Sequence, residues 1–236
     1  ARSWGPLFAY LSRKTGHRFV FATAPNSPEF ERRVAAGEYD VAYMNPYHYT
    51  VFGDNPGYRA LAKAMNKQIR GIVVVRVDSS ITSIGELDGE TLAFPAPAAF
   101  AASVLPRSEF SREGIAFTPK YVSSHDSVYR TVAKGLYPAG GGVMRTFSNV
   151  DERIRKQLKI LWKTDGYTPH ALATHPRVPQ QARDDLLAVL ERMHNEEEGK
   201  KLLGLLKVKG FEPAQHGDWD DVRALNIELL KGIAGN

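Results

Sequence analysis

The sequence predicts an α/β protein of two lobes with a helical C-terminal tail. Three observations support this fold class. Helix-like and strand-like patterns alternate through residues 4–162, and residues 69–77 are almost continuously apolar, as in a strand covered on both faces. After residue 180 only helical spacing of Leu and Val recurs. A chain of 236 residues is long enough for two lobes with cores of their own.

The first lobe begins with alternating helices and strands. Aromatic and Leu residues at helical spacing predict a helix over 4–16, and Ser27-Pro28-Glu29 is typical of a helix start. Gly37 is predicted to end that second helix. Strands are predicted over 17–22 and 39–44, and Asn45-Pro46 is predicted to open a loop.

The second lobe repeats the alternation. Strands are predicted over 69–77, 92–94 and 158–162, and a helix capped by Ser124 is predicted to end at Gly135. Three helices are predicted over 183–194, 196–206 and 218–231. We therefore expect lobe I to comprise residues 1–78 and 170–236, and lobe II residues 79–169.

Composition excludes several classes of function. The chain has no cysteine, which excludes disulfides and thiolate chemistry, and no apolar run of the roughly 18–20 residues that span a bilayer. The net charge is +5, but Lys and Arg are interleaved with Asp and Glu. The basic cluster over 153–159 is therefore interpreted as a solvated helix face, and no nucleic-acid partner is expected.

The first candidate site residues follow the predicted strand 39–44. Tyr43, Asn45 and Tyr47 place aromatic and amide groups where that strand ends, and ligands of α/β folds bind beyond the carboxyl ends of strands. Such side chains stack on a ligand and hydrogen-bond to it. The alternative is a packed aromatic turn.

Ser123-Ser124-His125-Asp126 forms the second candidate. Exposed backbone N–H groups and the helix dipole attract anions at a helix start, and His125 would lie in the first turn. The alternative is a capping segment with an incidental histidine. A Ser-His-Asp triad is excluded because its members are sequence neighbours and cannot meet in the required order.

Three consecutive glycines, 140–142, followed by Arg145, form the third candidate. Glycines allow close approach of a ligand or of another backbone, and Arg145 is a candidate anion contact. The segment has neither a Walker A nor a dinucleotide-binding spacing. A tight structural crossing with a surface arginine is the alternative. No histidine pattern suits a metal, no nucleophile–base pair indicates an enzyme, and no cofactor is expected.

The chain resembles the phosphate, phosphite and phosphonate-binding family of periplasmic ABC-transporter components. The matching segments run in family order: WGPLFAYLSRKTG from residue 4, GEYDVAYMNPYHY from 37, SIGELDGETLAF from 83, SSHDSVYRTVAKG from 123 and AGGGVMRTF from 139. The resemblance implies a type II periplasmic binding-protein fold, with hinge-crossing strands and two lobes that close over a ligand. Tyr43, Tyr47 and His125 match family pocket positions.

Three departures concern the ligand. Ala99-Phe100-Ala101 stands where phosphonate binders carry a Ser-Thr-Ser run, so three hydroxyl donors are missing, each worth about 1.5–3 kcal/mol to a charged ligand. Arg145 and His170 stand where aminoalkylphosphonate binders carry acidic residues for the ligand's ammonium group. An arginine repels that group and favours a carboxylate or another anion. A retuned pocket that rejects 2-aminoethylphosphonate is therefore expected.

The resemblance also implies a function and a location. We expect a monomeric solute-binding protein of the Gram-negative periplasm that captures a small, anionic, phosphonate-like ligand and delivers it to an inner-membrane ABC permease. The alternative is the sensing domain of a membrane histidine kinase or cyclase. The family has one further strand before the helix at Trp4, and we expect that the sequence is a trimmed part of a longer chain.

Overall fold

The chain forms two compact units in the computed structural model, which describes residues 4–228. Unit 1 contains the residues up to 68 and from 168 onward, and unit 2 contains residues 69–167. The expected boundaries were 78/79 and 169/170. The difference at the first boundary arises because the strand Gly71–Arg76 pairs on both sides with strands of unit 2.

Helices and strands alternate as predicted, and both kinds of element are numbered in chain order. The α-helices are α1 (Trp4–Thr15), α2 (Ser27–Ala35), α3 (Pro46–Asp54), α4 (Leu105–Arg112), α5 (His125–Ala133), α6 (Met144–Asn149), α7 (Glu152–Arg155), α8 (Gln180–Arg192), α9 (Glu197–Leu206) and α10 (Asp220–Arg223). The strands are β1 (Val41–Met44), β2 (Arg59–Ala64), β3 (Gly71–Arg76), β4 (Thr91–Phe94), β5 (Thr118–Tyr121), β6 (Ala139–Val143), β7 (Leu158–Lys163), β8 (Ala171–Thr174) and β9 (Phe211–Pro213). A π-helix (Phe100–Val104) leads directly into α4, and short 3₁₀ turns occupy Ile84–Leu87, Met193–Asn195 and His216–Trp219.

Unit 1 is built on a four-stranded sheet in the order β1-β8-β2-β9. Strand β8 is antiparallel to both β1 and β2, and β9 is antiparallel to β2. Leu and aromatic residues of α1, α8 and α9 form its main core with residues of the sheet, including Leu7, Leu11, Leu190, Leu203 and Phe211. The helical spacing that predicted these three helices therefore reflects packing.

Unit 2 is built on a five-stranded sheet in the order β5-β4-β6-β3-β7. Strand β4 is parallel to β5 and β6, whereas β3 is antiparallel to β6 and β7. Alternate residues of β3 enter different cores: Ile72 and Val74 pack toward α5, and Val73 and Val75 pack with Phe110 of α4. The apolar run in β3 is thus covered on both faces, as predicted.

Three elements differ from the sequence prediction. Residues 18–24 form neither a helix nor a strand with the described residues, and Phe19 donates its backbone N–H to the Ser12 hydroxyl. The predicted loop after Met44 is the helix α3. In the tail, β9 separates α9 from a last helix that ends at Arg223, and the predicted continuation of that helix beyond residue 228 lies outside the described residues.

Candidate functional site

Unit 2 brings the predicted residues of the second lobe to one edge of its sheet. Strands β5, β4 and β6 are parallel neighbours, so their carboxyl ends lie at the same edge. The segments that leave this edge carry Ala99, Phe100 and Ala101 after β4, Ser124 and His125 after β5, and Arg145 after β6. Six residues from three separate motifs therefore share one edge, where α/β folds bind ligands.

The turn after β4 is a π-helix packed against the sheet. Backbone N–H groups of Ser103 and Val104 both donate to the Ala99 carbonyl, at 2.7 and 3.2 Å. Phe100 and Ala101 are buried, and the Phe100 ring packs edge-on against Tyr167 with 5.7 Å between centroids. Ala99 is half-buried. The turn thus presents backbone groups and one small side chain, and no hydroxyl at 99–101.

The three glycines of β6 make room for packing partners in unit 2. A Cβ on Gly141 would lie 1.9 Å from the Ala102 carbonyl oxygen, and one on Gly140 would lie 2.4 Å from Val128. A Cβ on Gly142 would lie 2.3 Å from the Tyr129 hydroxyl. Of the two interpretations of this motif, close approach of another backbone and its side chains accounts for all three positions.

Gly71 makes the same kind of room on the neighbouring strand β3. A Cβ there would lie 2.0 Å from the Ala101 carbonyl oxygen. On each of these two adjacent strands, the absence of a side chain at a glycine therefore leaves space for a carbonyl group of the π-helix. These glycines determine how closely the turn lies on the sheet.

Ser124 caps α5, as predicted. Its hydroxyl accepts the Ser127 N–H at 3.0 Å, and Ser123 before it adopts a positive φ of 72° that turns the chain into the helix. His125 is the first residue of α5 and is half-buried, and its buried Nδ1 has no hydrogen-bond partner among the described residues. The sequence therefore places an unsatisfied imidazole nitrogen at the edge of the sheet.

Burial and the nearby charge of Arg145 lower the pKa of His125 to about 4. The imidazole is therefore neutral near pH 7 and retains one donor and one acceptor nitrogen. The guanidinium of Arg145, on α6, is exposed and makes no hydrogen bond or ion pair with the part of the chain that the structure describes. An unpaired cation beside a neutral imidazole is suited to an anion that accepts hydrogen bonds from both.

Unit 1 places Tyr43 and His170 together. Strands β1 and β8 are antiparallel with Met44 opposite Ala171, so the end of β1 and the start of β8 share an edge. The Tyr43 and His170 rings stack with 5.2 Å between their centroids. The Trp4 ring also packs against Tyr43, with 5.0 Å between their centroids. Sequence reasoning missed Trp4 as part of this cluster, although its spacing to Phe8 indicated a helix face directed at an apolar partner.

Tyr47 and His48 are part of the core of unit 1. Tyr47 is 1% exposed, and its hydroxyl donates to the Ile227 carbonyl at 3.4 Å. His48 is buried and lies 3.0 Å from the Glu31 carboxylate. Both residues therefore lie in packed surroundings, as in the alternative interpretation of this segment as a packed aromatic turn.

Asn45 caps α3. Its side-chain oxygen accepts the His48 N–H at 2.8 Å, and Pro46 occupies the first turn. We expect Asn45→Ala to lower the free energy of unfolding by about 1 kcal/mol, whereas Asn45→Ser, which keeps an oxygen at the cap, should lose less than about 0.5 kcal/mol. Urea unfolding of the two variants checks this. Equal losses would contradict the capping role.

The described residues contain neither a cluster suited to a metal ion nor a helix suited to a membrane. No group of three or more His, Asp or Glu side chains in residues 4–228 is arranged to hold a metal ion. Within the same residues, no helix has the length and apolar character required to cross a membrane.

The two α/β units, each with candidate residues at one sheet edge, define the class of two-lobed binding proteins. Residues 1–219 match the family described as ABC transporter, phosphonate, periplasmic substrate-binding protein, and the chain belongs to this family. Members of this class bind small ligands and interact with membrane permeases of ABC importers. The predicted family and fold class are confirmed.

Known relatives agree with this assignment. The chain is 24% identical to the phosphate-import protein PhnD of Mycolicibacterium smegmatis (strain ATCC 700084 / mc(2)155), covering 94% of this chain and 78% of that protein. PhnD1 of Prochlorococcus marinus (MIT 9301), solved with methylphosphonate, superposes with a TM-score of 0.85 at 14% identity, covering 95% of this chain and 91% of that one. A binding protein of an ABC phosphonate transporter from Pseudomonas aeruginosa gives 0.84 at 16% identity, covering 95% and 80%.

Proposed function

We propose that this protein captures a small oxyanion lacking an ammonium group, and delivers it to the permease of an ABC importer in the Gram-negative periplasm. The unpaired Arg145 guanidinium next to the neutral His125, at the edge where β4, β5 and β6 end, is the observation that carries the proposal. Two donors of this kind select a phosphate-like or carboxylate group.

The chemistry of the turn at 99–101 supports a tetrahedral oxyanion held by fewer hydroxyl groups than in phosphonate binders. Its side chains are apolar, so the donors there are backbone N–H groups. Arg145 supplies the charge that compensates the oxyanion. The same charge repels an ammonium group, so 2-aminoethylphosphonate should bind poorly.

Ligand capture is proposed to use residues of both lobes, with Tyr43 and His170 contributing from unit 1. Hinge closure would follow because the ligand binds the closed state more tightly than the open state. The protein is proposed to act as a monomer. The family assignment favours the importer component over the sensing domain of a membrane kinase or cyclase.

A thermal-shift screen tests the proposed ligand class. Phosphate, phosphite and methylphosphonate are compared with 2-aminoethylphosphonate, a sulfonate and a carboxylate, because a ligand bound only by the folded state raises the Tm. We expect a rise with one or more of the oxyanions that lack an amine. A rise with 2-aminoethylphosphonate alone would overturn the proposal. Small-angle X-ray scattering with the hit should show compaction if closure occurs.

Replacing Arg145 by alanine should weaken binding of the ligand found in the screen by about 10- to 100-fold. Loss of one charge-assisted hydrogen-bonding group accounts for this magnitude. Arg155→Ala is the matched control because Arg155 is also an exposed arginine of unit 2. Titration calorimetry of both variants measures the effect. An unchanged affinity in Arg145→Ala would remove Arg145 from the site.

A further inference from the structure

A second set of basic side chains lies at the opposite edge of the unit 1 sheet. Strand β2 begins at Arg59, and Arg59 is paired with Thr174, the last residue of β8. The other end of β8 adjoins His170. Because β8 has four residues, roughly 13 Å of strand separates this edge from the candidate ligand residues of unit 1.

Arg183, on α8, is anchored at this edge without a carboxylate. Its guanidinium donates to the Thr174 hydroxyl through Nη1 and to the Ala60 carbonyl through Nη2, at 3.3 Å for the second bond. Its Nε is buried and has no hydrogen-bond partner among the described residues. Burial, and then the charge of Arg59, lower the pKa of Arg183. The guanidinium is therefore held in a partly desolvated position with its charge uncompensated.

Arg59 lies on the same face of the sheet as Arg183. Residues directly opposite each other in an antiparallel pair direct their side chains to the same face, so Arg59 shares the face of Thr174, which Arg183 contacts. Arg59 is exposed, and within residues 4–228 its side chain forms no ion pair or hydrogen bond. The side chains of Arg59 and Arg183 thus lie on the same face of the sheet, and the charge of Arg59 is close enough to act on Arg183.

The neighbouring acidic groups leave this charge uncompensated. Asp184 follows Arg183 on α8 and exerts an opposing charge, but its carboxylate accepts a hydrogen bond from Gln180 and forms no ion pair with Arg183. Asp54, a second nearby acidic residue, lies 3.6 Å from His216 and forms no ion pair with either arginine within the described residues. Two like charges close together are unfavourable unless an anion lies between them.

We propose that Arg59 and Arg183 form a second oxyanion-binding site, at the edge of unit 1 away from the candidate ligand site. A guanidinium presents its N–H groups as a planar fork that matches the oxygens of a phosphate or carboxylate. Arg183 is held in place by Thr174 and Ala60, and Arg59 supplies the solvent-facing arm. A small free oxyanion, with inorganic phosphate as the probe, bridges the two side chains.

Protection of Arg59 from chemical modification tests this site in the full chain. The rate at which phenylglyoxal modifies each arginine is measured by peptide mass spectrometry, with and without millimolar inorganic phosphate at constant ionic strength. We expect phosphate to slow modification of Arg59 at least threefold. Exposed Arg18 is the internal control, and its rate should not change.

Two variants separate this site from the proposed ligand site. Protection of Arg59 should persist in Arg145→Ala and should disappear in Arg183→Gln. The wild-type measurement remains decisive if Arg183→Gln does not fold. An unprotected Arg59, equal slowing of Arg59 and Arg18, or loss of protection in Arg145→Ala would each overturn the proposal. The last result would leave the proposed function intact, because it would assign the phosphate to the Arg145 site.

Discussion

Replacing Gly141 by alanine is expected to lower the free energy of unfolding by about 3 kcal/mol. The added Cβ would lie 1.9 Å from the Ala102 carbonyl oxygen and 2.7 Å from a ring carbon of Phe94. The first of these is a backbone atom, so relief requires the π-helix to move away from the sheet. Overpacking of this kind costs about 1–3 kcal/mol or more when backbone must shift. Because the displaced turn carries residues 99–101, ligand affinity should fall as well.

Urea unfolding at neutral pH measures the stability of this variant. Gly85→Ala is the matched control in the same unit, since the nearest atom to its added Cβ, the Ser83 hydroxyl, is 3.8 Å away. The control should remain within about 0.5 kcal/mol of the wild type. A Gly141→Ala protein as stable as this control would show that the turn is not held against β6.

The stability of the protein should fall by about 3 kcal/mol between pH 7 and pH 4 through His125 alone. The pKa of His125 is about 4 in the folded chain and about 6.5 in an unfolded one. Between these values the unfolded state binds the extra proton, so stability is complete above pH 6.5 and is lost as the pH falls toward 4. The difference between these two pKa values corresponds to about 3 kcal/mol of stability, because one pKa unit is worth about 1.36 kcal/mol.

Two measurements check this pH dependence. Urea unfolding across the range should show a shallower decline for His125→Asn than for the wild type, because asparagine does not titrate. NMR titration of the wild type should place the midpoint of His125 near pH 4. A midpoint near 6.5, or parallel declines in the two proteins, would contradict the burial of an unsatisfied neutral imidazole.

Local signals in the sequence predicted elements that form from local chemistry. Ser124 was identified as a cap, and Gly16 and Gly37 do adopt positive φ of 75° and 68° after their helices. Asn45-Pro46 carries the same kind of signal as the start of α2, where Asn26, and not the expected Ser27, caps the helix just before Pro28. The assignment of Asn45-Pro46 to a loop was wrong. The strand predicted over 17–22 was also wrong, because a strand requires a hydrogen-bonding partner that a local pattern does not supply.

The candidate site was predictable to a similar degree. The helix start at Ser124 and the three glycines before Arg145 indicated these two segments, and the structure places both at one edge of unit 2. The role of Gly141 was not predictable, because its reason is a contact with a turn about forty residues earlier. The Arg59–Arg183 pair was not predictable for the same reason, since strand register places Arg59 opposite Thr174 and the packing of α8 brings Arg183 to the same threonine.

The glycine-supported turn has a consequence for how such proteins diversify. Gly71 and Gly141 fix the backbone of the π-helix through its carbonyl groups, independently of which side chain projects from Ala99. In the proposed ligand site, substitutions at Ala99 and at the exposed Arg145 are therefore expected to change the chemistry offered to a ligand without altering the backbone that positions it. New ligand specificities are thus expected to arise by substitution at these two positions, whereas substitution of either glycine is expected to displace the turn itself.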